Sequence, residues 1–197
     1  MRDPRHAAIV LLAMLPALAV ARNPLPTGFG PLALGTPWSD VEAATSYTEL
    51  TRATSDWERF VYECGYRSAA LSVDNGRLLV TAQDATVTAL SYVTPIEPDS
   101  NVMKVAELVM KSYGQPKRAT LRDELGTITI DQQRVAYVLL EYTGPVQASF
   151  AVSGDPLWEY RISIRHRDAR RLENRTLRCA REREKAALKE KKGKKAS

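Results

Sequence analysis

The stretch that decides the fold is Ser68 to Ala82, "SAALSVDNGRLLVTA". Two apolar, β-favouring runs flank Asn75-Gly76, a pair suited to the positive φ angles of a tight type I′ turn. It therefore predicts a β-hairpin, and the sequence on either side extends it. "ATVTALSYV" (85–93) alternates Val87, Ala89, Ser91 and Val93 against Thr86, Thr88, Leu90 and Tyr92, with Pro95 and Pro98 beyond it. "WERFVYE" (57–63) reads as a preceding strand, with Phe60 and Tyr62 on one side and Trp57, Arg59 and Val61 on the other.

Upstream, "GTPWSDVEA" reads as a short helix. Thr36 is a suitable N-cap, Pro37 suits the first helical position, and Trp38, Val41 and Ala44 recur at helical spacing up to about Ser46. Downstream, Asp99 or Ser100 caps a second helix with Val102, Val105, Ala106, Val109 and Met110 as its apolar stripe. Gly114 and Pro116 end that helix. Four further strands are expected, at 126–131, 134–142, 146–152 and 157–165. In the last, Trp158, Tyr160, Ile162 and Ile164 oppose Glu159, Arg161, Ser163 and Arg165, the pattern of a half-buried antiparallel strand. The fold class is α+β: short helices on an antiparallel β-meander sheet, in an order that admits a duplicated helix-plus-four-strands unit, with a basic C-terminal helix.

Both chain ends carry different information. Arg2 and Arg5 precede a 14-residue apolar run, Ala7 to Val20, and Ala19-Val20-Ala21 offers a small-x-small cleavage pattern. Residues 1–21 are accordingly expected to be a signal peptide, the run being shorter than a bilayer span; an uncleaved anchor or a buried core helix are the alternatives. The mature protein, starting near Arg22, is expected to be soluble and periplasmic or secreted. Residues 22–35 form a Pro/Gly-rich lead-in, 36–95 and 96–167 the two helix-plus-meander halves, and 168–197 a basic helix with a disordered end. The net charge of +5 conceals a division: Arg165 to Ser197 hold 14 Lys and Arg against 5 Asp and Glu, whereas Arg22 to Ile164 hold 12 against 17. An acidic body carries a basic tail.

The opening "FGPLALGTPWSDVEAA" (29–44) resembles that of a bacterial envelope superfamily, which includes the β-lactamase-inhibitor-protein-like domains and the small outer-membrane-assembly lipoproteins. "VAELVMKSYGQP" (105–116) is similar to the Tyr-Gly-x-Pro helix end of exported proteins of related build. The resemblance implies helices on an antiparallel sheet and action by protein contact rather than catalysis. It departs at Arg22, where the lipoproteins carry a lipidated cysteine.

Chemistry-bearing residues are sparse. The expected mature chain has one histidine, His166, flanked by arginines where the last strand ends, an exposed setting for a catalytic base. Cys64 and Cys179 have no metal-ligand spacing, and an oxidising compartment favours their pairing as a disulfide over two separate buried thiols. The acidic pairs Asp56/Glu58, Glu97/Asp99 and Asp123/Glu124 have no spacing that sets two carboxylates across a cleft. Gly28, Gly30 and Gly35 match no phosphate-loop pattern.

No catalytic residue, cofactor or metal is expected. The expected function is that of an exported, non-catalytic protein-binding or envelope accessory module, using a sheet face or the Trp- and Tyr-bearing loops to hold an envelope protein. The alternatives are an envelope hydrolase and a tail-mediated binder of an anionic surface. For the latter, Lys185, Lys189, Lys191, Lys192, Lys194 and Lys195 are the candidate residues, and anionic lipid or lipopolysaccharide the expected partner. The acidic body argues against nucleic acid.

Overall fold

The computed structural model describes residues 23–195 apart from 45, 51–54, 99, 132–134 and 155–157, and it describes no side chains at 193–195. The expected signal segment lies outside the described residues. Among those residues no helix is long and apolar enough to cross a membrane.

The hairpin forms from β4 (Tyr66–Val73) and β5 (Gly76–Gln83), joined at Asp74-Asn75. Its turn sits one residue earlier than Asn75-Gly76. Asn75 is left-handed at φ 58°, whereas Gly76 already belongs to β5 and serves another purpose. A Cβ on Gly76 would lie 2.2 Å from the Val93 carbonyl oxygen of β6 (Thr86–Pro95), so glycine permits a close backbone approach there. The turn with two left-handed residues is instead Asp84-Ala85 between β5 and β6, at φ 49° and 60°.

A short strand, β3 (Tyr47–Glu49), pairs outside β4 and completes a first four-stranded meander. The second consists of β7 (Arg118–Arg122), β8 (Tyr137–Thr143), β9 (Val146–Ser153) and β10 (Glu159–His166). The last strands of the two meanders, β6 and β10, pair antiparallel. The result is one eight-stranded sheet in the order β3-β4-β5-β6-β10-β9-β8-β7.

Five expectations require correction. Residues 57–63 are not a strand but most of helix α2 (Asp56–Glu63). Ser55 accepts from the Glu58 amide at 3.2 Å while Glu58 accepts from the Ser55 amide at 3.0 Å, a reciprocal cap that outweighs the β-branched and aromatic content. Residues 126–131 form a loop, pairing with β7 through an isolated bridge between Arg122 and Ile128 and a hydrogen bond from the Thr129 amide to the Leu121 carbonyl, and the edge strand is Arg118–Arg122. Helix α1 (Trp38–Glu42) starts one residue later than expected: Pro37 is the cap, and the Thr36 hydroxyl accepts from the Ala33 amide at 3.1 Å. Helix α3 (Val102–Tyr113) is capped by Asn101, whose side chain accepts from the Lys104 amide at 2.9 Å; Asp99 lies outside the described residues. Finally, α4 runs unbroken from Ala169–Lys195, so Lys189 to Lys195 continue a helix rather than forming the disordered end the charge density suggested.

One side of the sheet is covered. Cross-strand rows such as Leu71–Leu78–Tyr92–Ile162–Phe150–Leu140 face a layer made by α1, α3 and the hairpin of β1 (Gly28–Phe29) and β2 (Leu32–Ala33). Val41 and Ala106 are fully buried in this core. Phe150, also fully buried, lies 4.8 Å from the Tyr113 ring and 5.4 Å from Tyr142. The Tyr142 hydroxyl donates to the Gly114 carbonyl at 3.0 Å, tying the end of α3 to the sheet. Burial of this apolar layer is the main source of stability, at about 25 cal/mol per Å² removed from water.

Candidate functional site

Among the described residues the other side of the sheet has no covering layer. Its rows are polar and small: Ser91, Ser163, Ser149 and Glu141 run across β6, β10, β9 and β8, and Thr81, Ala89, Arg165, Gln147 and Thr143 run beside them. This alternation with the core rows follows from the two-residue period of strands. A hollow of about 810 Å³ opens here. The Ser91 and Ser163 hydroxyls are 2.6 Å apart at its centre, and Arg165 donates to the Gln147 side chain at 2.6 Å. Arg161 donates to Glu159 at 2.9 Å, while its Nε is buried with no hydrogen-bond partner among the described residues.

A second hollow, of about 670 Å³, shares Arg118 and Glu141 with the first and extends the surface past β7 to the 123–131 loop. That loop presents Leu125, Ile128 and Ile130 at 91%, 71% and 95% exposure. It is nonetheless ordered by its own polar groups. The Asp123 carboxylate accepts from the Leu125 amide at 3.0 Å and the Thr127 amide at 2.8 Å, Gly126 supplies a φ of 78°, and the Arg122 guanidinium donates to the Gly126 carbonyl at 3.4 Å. Three large aliphatic side chains thus stand in solvent on a stapled loop at the rim of an open, polar sheet face.

Sequence reasoning missed this rim because "TITID" alternates like a strand. The Asp123-x-x-Gly126 turn immediately before it was the available signal.

At the end of the sheet where β4 starts and β5 finishes, α2 and α4 form a pair outside the main core. Cys64, the C-cap of α2, is disulfide-bonded to Cys179 of α4, with a Cα–Cα distance of 6.0 Å. Phe60, Thr176 and Ala180 are buried beside the bond. The Thr176 hydroxyl bonds the Gln83 side chain, Arg175 pairs with Asp84, and Arg183 reaches Glu63 at 2.7 Å. The left-handed Asp84-Ala85 turn is held from three directions, since the Asp84 amide also donates to the Gly65 carbonyl and the Trp38 amide to the Ala85 carbonyl.

The candidate tail lysines divide. Lys185, Lys189 and Lys192 are exposed on the side of α4 turned away from α2, whereas Lys191 lies 3.2 Å from Asp56. The side chains of Lys194 and Lys195 are outside the described residues. His166 ends β10, exposed, with its Nδ1 accepting from the Asp168 amide at 3.3 Å. The carboxylates of Asp56, Glu58 and Asp123 are engaged in ion pairs, caps and turns.

The aromatic side chains lie mainly on the covered side, where burial raises the pKa of Tyr47, Tyr142 and, most strongly, Tyr160. These tyrosines serve packing, and the most exposed apolar side chains beside the open side, Leu125, Ile128 and Ile130, are aliphatic. No family model, curated protein or solved structure matches the chain, so its function is read from this geometry.

Proposed function

We propose that the protein is an exported, non-catalytic module that holds a protein partner on the open face of its sheet. The observation that carries this reading is the aliphatic rim: Leu125, Ile128 and Ile130 stand 71–95% exposed beside a continuous open surface. Water-exposed aliphatic clusters on an ordered loop are disfavoured unless another surface covers them. Leu79 and Leu139, both half-buried, give the face apolar ground among its serines and arginines, the apolar patch with a polar surround that protein interfaces use.

Non-catalytic action is supported by what lines the larger hollow. It has serine hydroxyls but no histidine, and its carboxylate, Glu141, lies 3.8 Å from Arg118. With no histidine–carboxylate pair among the described residues that line it, the set suits a contact surface better than an activated hydroxyl nucleophile. Export is supported by the Cys64–Cys179 disulfide, a bond favoured in oxidising compartments. Kinship with the envelope superfamily that the opening resembles belongs to the same proposal, supported by the helix layer on a single antiparallel sheet.

The test is the triple variant Leu125→Ser, Ile128→Ser, Ile130→Ser, compared with the parent in affinity purification from its native envelope. The parent should enrich a stoichiometric protein that the variant loses while keeping its circular dichroism and thermal midpoint. Equal enrichment by both would overturn the role of the rim.

A further inference from the structure

The continuity of α4 creates a surface that neither its arginines nor its lysines form alone. A helix advances 100° per residue, so positions separated by three, four and seven residues share a side. Ala169, Thr176, Cys179 and Ala180 turn inward towards α2 and the sheet end. On the opposite side fall Arg170, Arg171, Arg178, Arg181, Lys185 and Lys192, all exposed. Arg171, Arg178, Lys185 and Lys192 recur at intervals of seven, and the stripe extends about 33 Å.

Ion pairing separates this ridge from the cations on the inner edges of the helix. Arg175, Arg183 and Lys191 lie on the inner edges and meet Asp84, Glu63 and Asp56. Among the described residues none of the six ridge cations has a carboxylate within ion-pair distance. The Cys64–Cys179 bond fixes the helix to the body, so the ridge is aimed rather than swinging on a tether.

We propose that this ridge seats the protein on an anionic phospholipid surface. The cations form one stripe along the helix, about 100° of arc wide, which can meet a plane along its whole length. Leu188, 52% exposed on the same side between Lys185 and Lys192, supplies an aliphatic foot for the headgroup boundary. The ridge has no aromatic side chain on which bases stack, which disfavours single-stranded nucleic acid. The proposal rests on the export proposed above, which the disulfide supports and which puts the chain where phospholipid rather than nucleic acid is the abundant polyanion. The acidic body, 12 Lys and Arg against 17 Asp and Glu from Arg22 to Ile164, is repelled by the same surface, so the protein sits ridge-down with its body in solution.

The experiment is cosedimentation of the full mature chain with vesicles of phosphatidylglycerol and phosphatidylcholine, or of phosphatidylcholine alone, at low and high salt. The ridge variant is Arg171→Gln, Arg178→Gln, Arg181→Gln, Lys185→Gln. The control of equal net charge is Arg77→Gln, Lys104→Gln, Lys111→Gln, Lys117→Gln, all exposed sites elsewhere. Each cation near an anionic surface raises partitioning about fivefold, so the ridge variant, with four removed, should lose on the order of several hundredfold. The control should lose less than about threefold, and high salt or neutral vesicles should abolish binding of the parent. Equal losses in ridge and control variants would reduce the effect to net charge and overturn the proposal. Tighter binding to a DNA duplex than to vesicles at equal phosphate concentration would overturn the choice of lipid.

Discussion

Replacing both cysteines, Cys64→Ser with Cys179→Ser, removes a cross-link between residues 115 apart in sequence. In the unfolded chain that bond closes a loop whose entropy cost, by the chain-closure relation, is about 4–5 kcal/mol at 25 °C. In the folded chain it joins the C-cap of α2 to α4, two elements that also share buried Phe60, Thr176 and Ala180 and the Arg183–Glu63 pair. The variant keeps those contacts, so the loss arises mainly in the unfolded state. With a urea m-value of about 2 kcal/mol per M, the unfolding midpoint should fall by roughly 2 M. Urea titration followed by far-ultraviolet circular dichroism measures this. Hydrogen exchange adds the location, since α4 amides should lose protection before those of β5 and β6. A midpoint within about 0.5 M of the parent, with the same slope, would refute the reasoning, because the cross-link would then constrain nothing in the unfolded chain.

Three further outcomes test the sheet. Gly76→Ala puts a methyl 2.2 Å from the Val93 carbonyl oxygen and should cost about 1–3 kcal/mol in chemical unfolding, although alanine is otherwise acceptable in a strand. Ala85→Gly relieves a left-handed alanine and should stabilise by about 0.5–1 kcal/mol, seen as a raised thermal midpoint. Tyr160 is raised by burial first and then by Tyr113 and Tyr142, and Tyr142 by burial and Tyr113, from an ordinary value of 10.0. Above that pH the unfolded chain releases protons that the folded chain keeps. Stability should therefore be level below about pH 9 and fall as pH rises past 10, in urea titrations across that range.

Strands with strict alternation were legible because their period of two has one physical cause, burial on one side only. Residues 68–82, 146–152 and the body of 157–165 follow it, and their rows align across the sheet. Residues 57–63 misled because their aromatic and β-branched side chains favour strands, while the Ser55–Glu58 cap that starts α2 lies in two polar residues outside the apolar pattern. The loop at 126–131 misled for the converse reason: its alternation is real, but its aliphatics face solvent, and local sequence does not report whether a neighbouring strand exists to cover them. The Cys64–Cys179 bond followed from count and compartment. What it fastens did not, since the pairing of α2 with α4 spans more than a hundred residues. The ridge needed the helix to continue through Lys189–Lys192, against the charge repulsion that predicted an open chain there.

The central claim is that the open sheet face holds a protein. A photo-reactive side chain placed singly at Ser149 or Ser163, in the middle of that face, and at Glu107, exposed on α3 over the covered side, tests it most directly. Irradiated in the native envelope, the Ser149 and Ser163 variants should each give a discrete adduct with the same protein, and the Glu107 variant none. No adduct at the two serine positions, or an identical one at Glu107, would contradict the account.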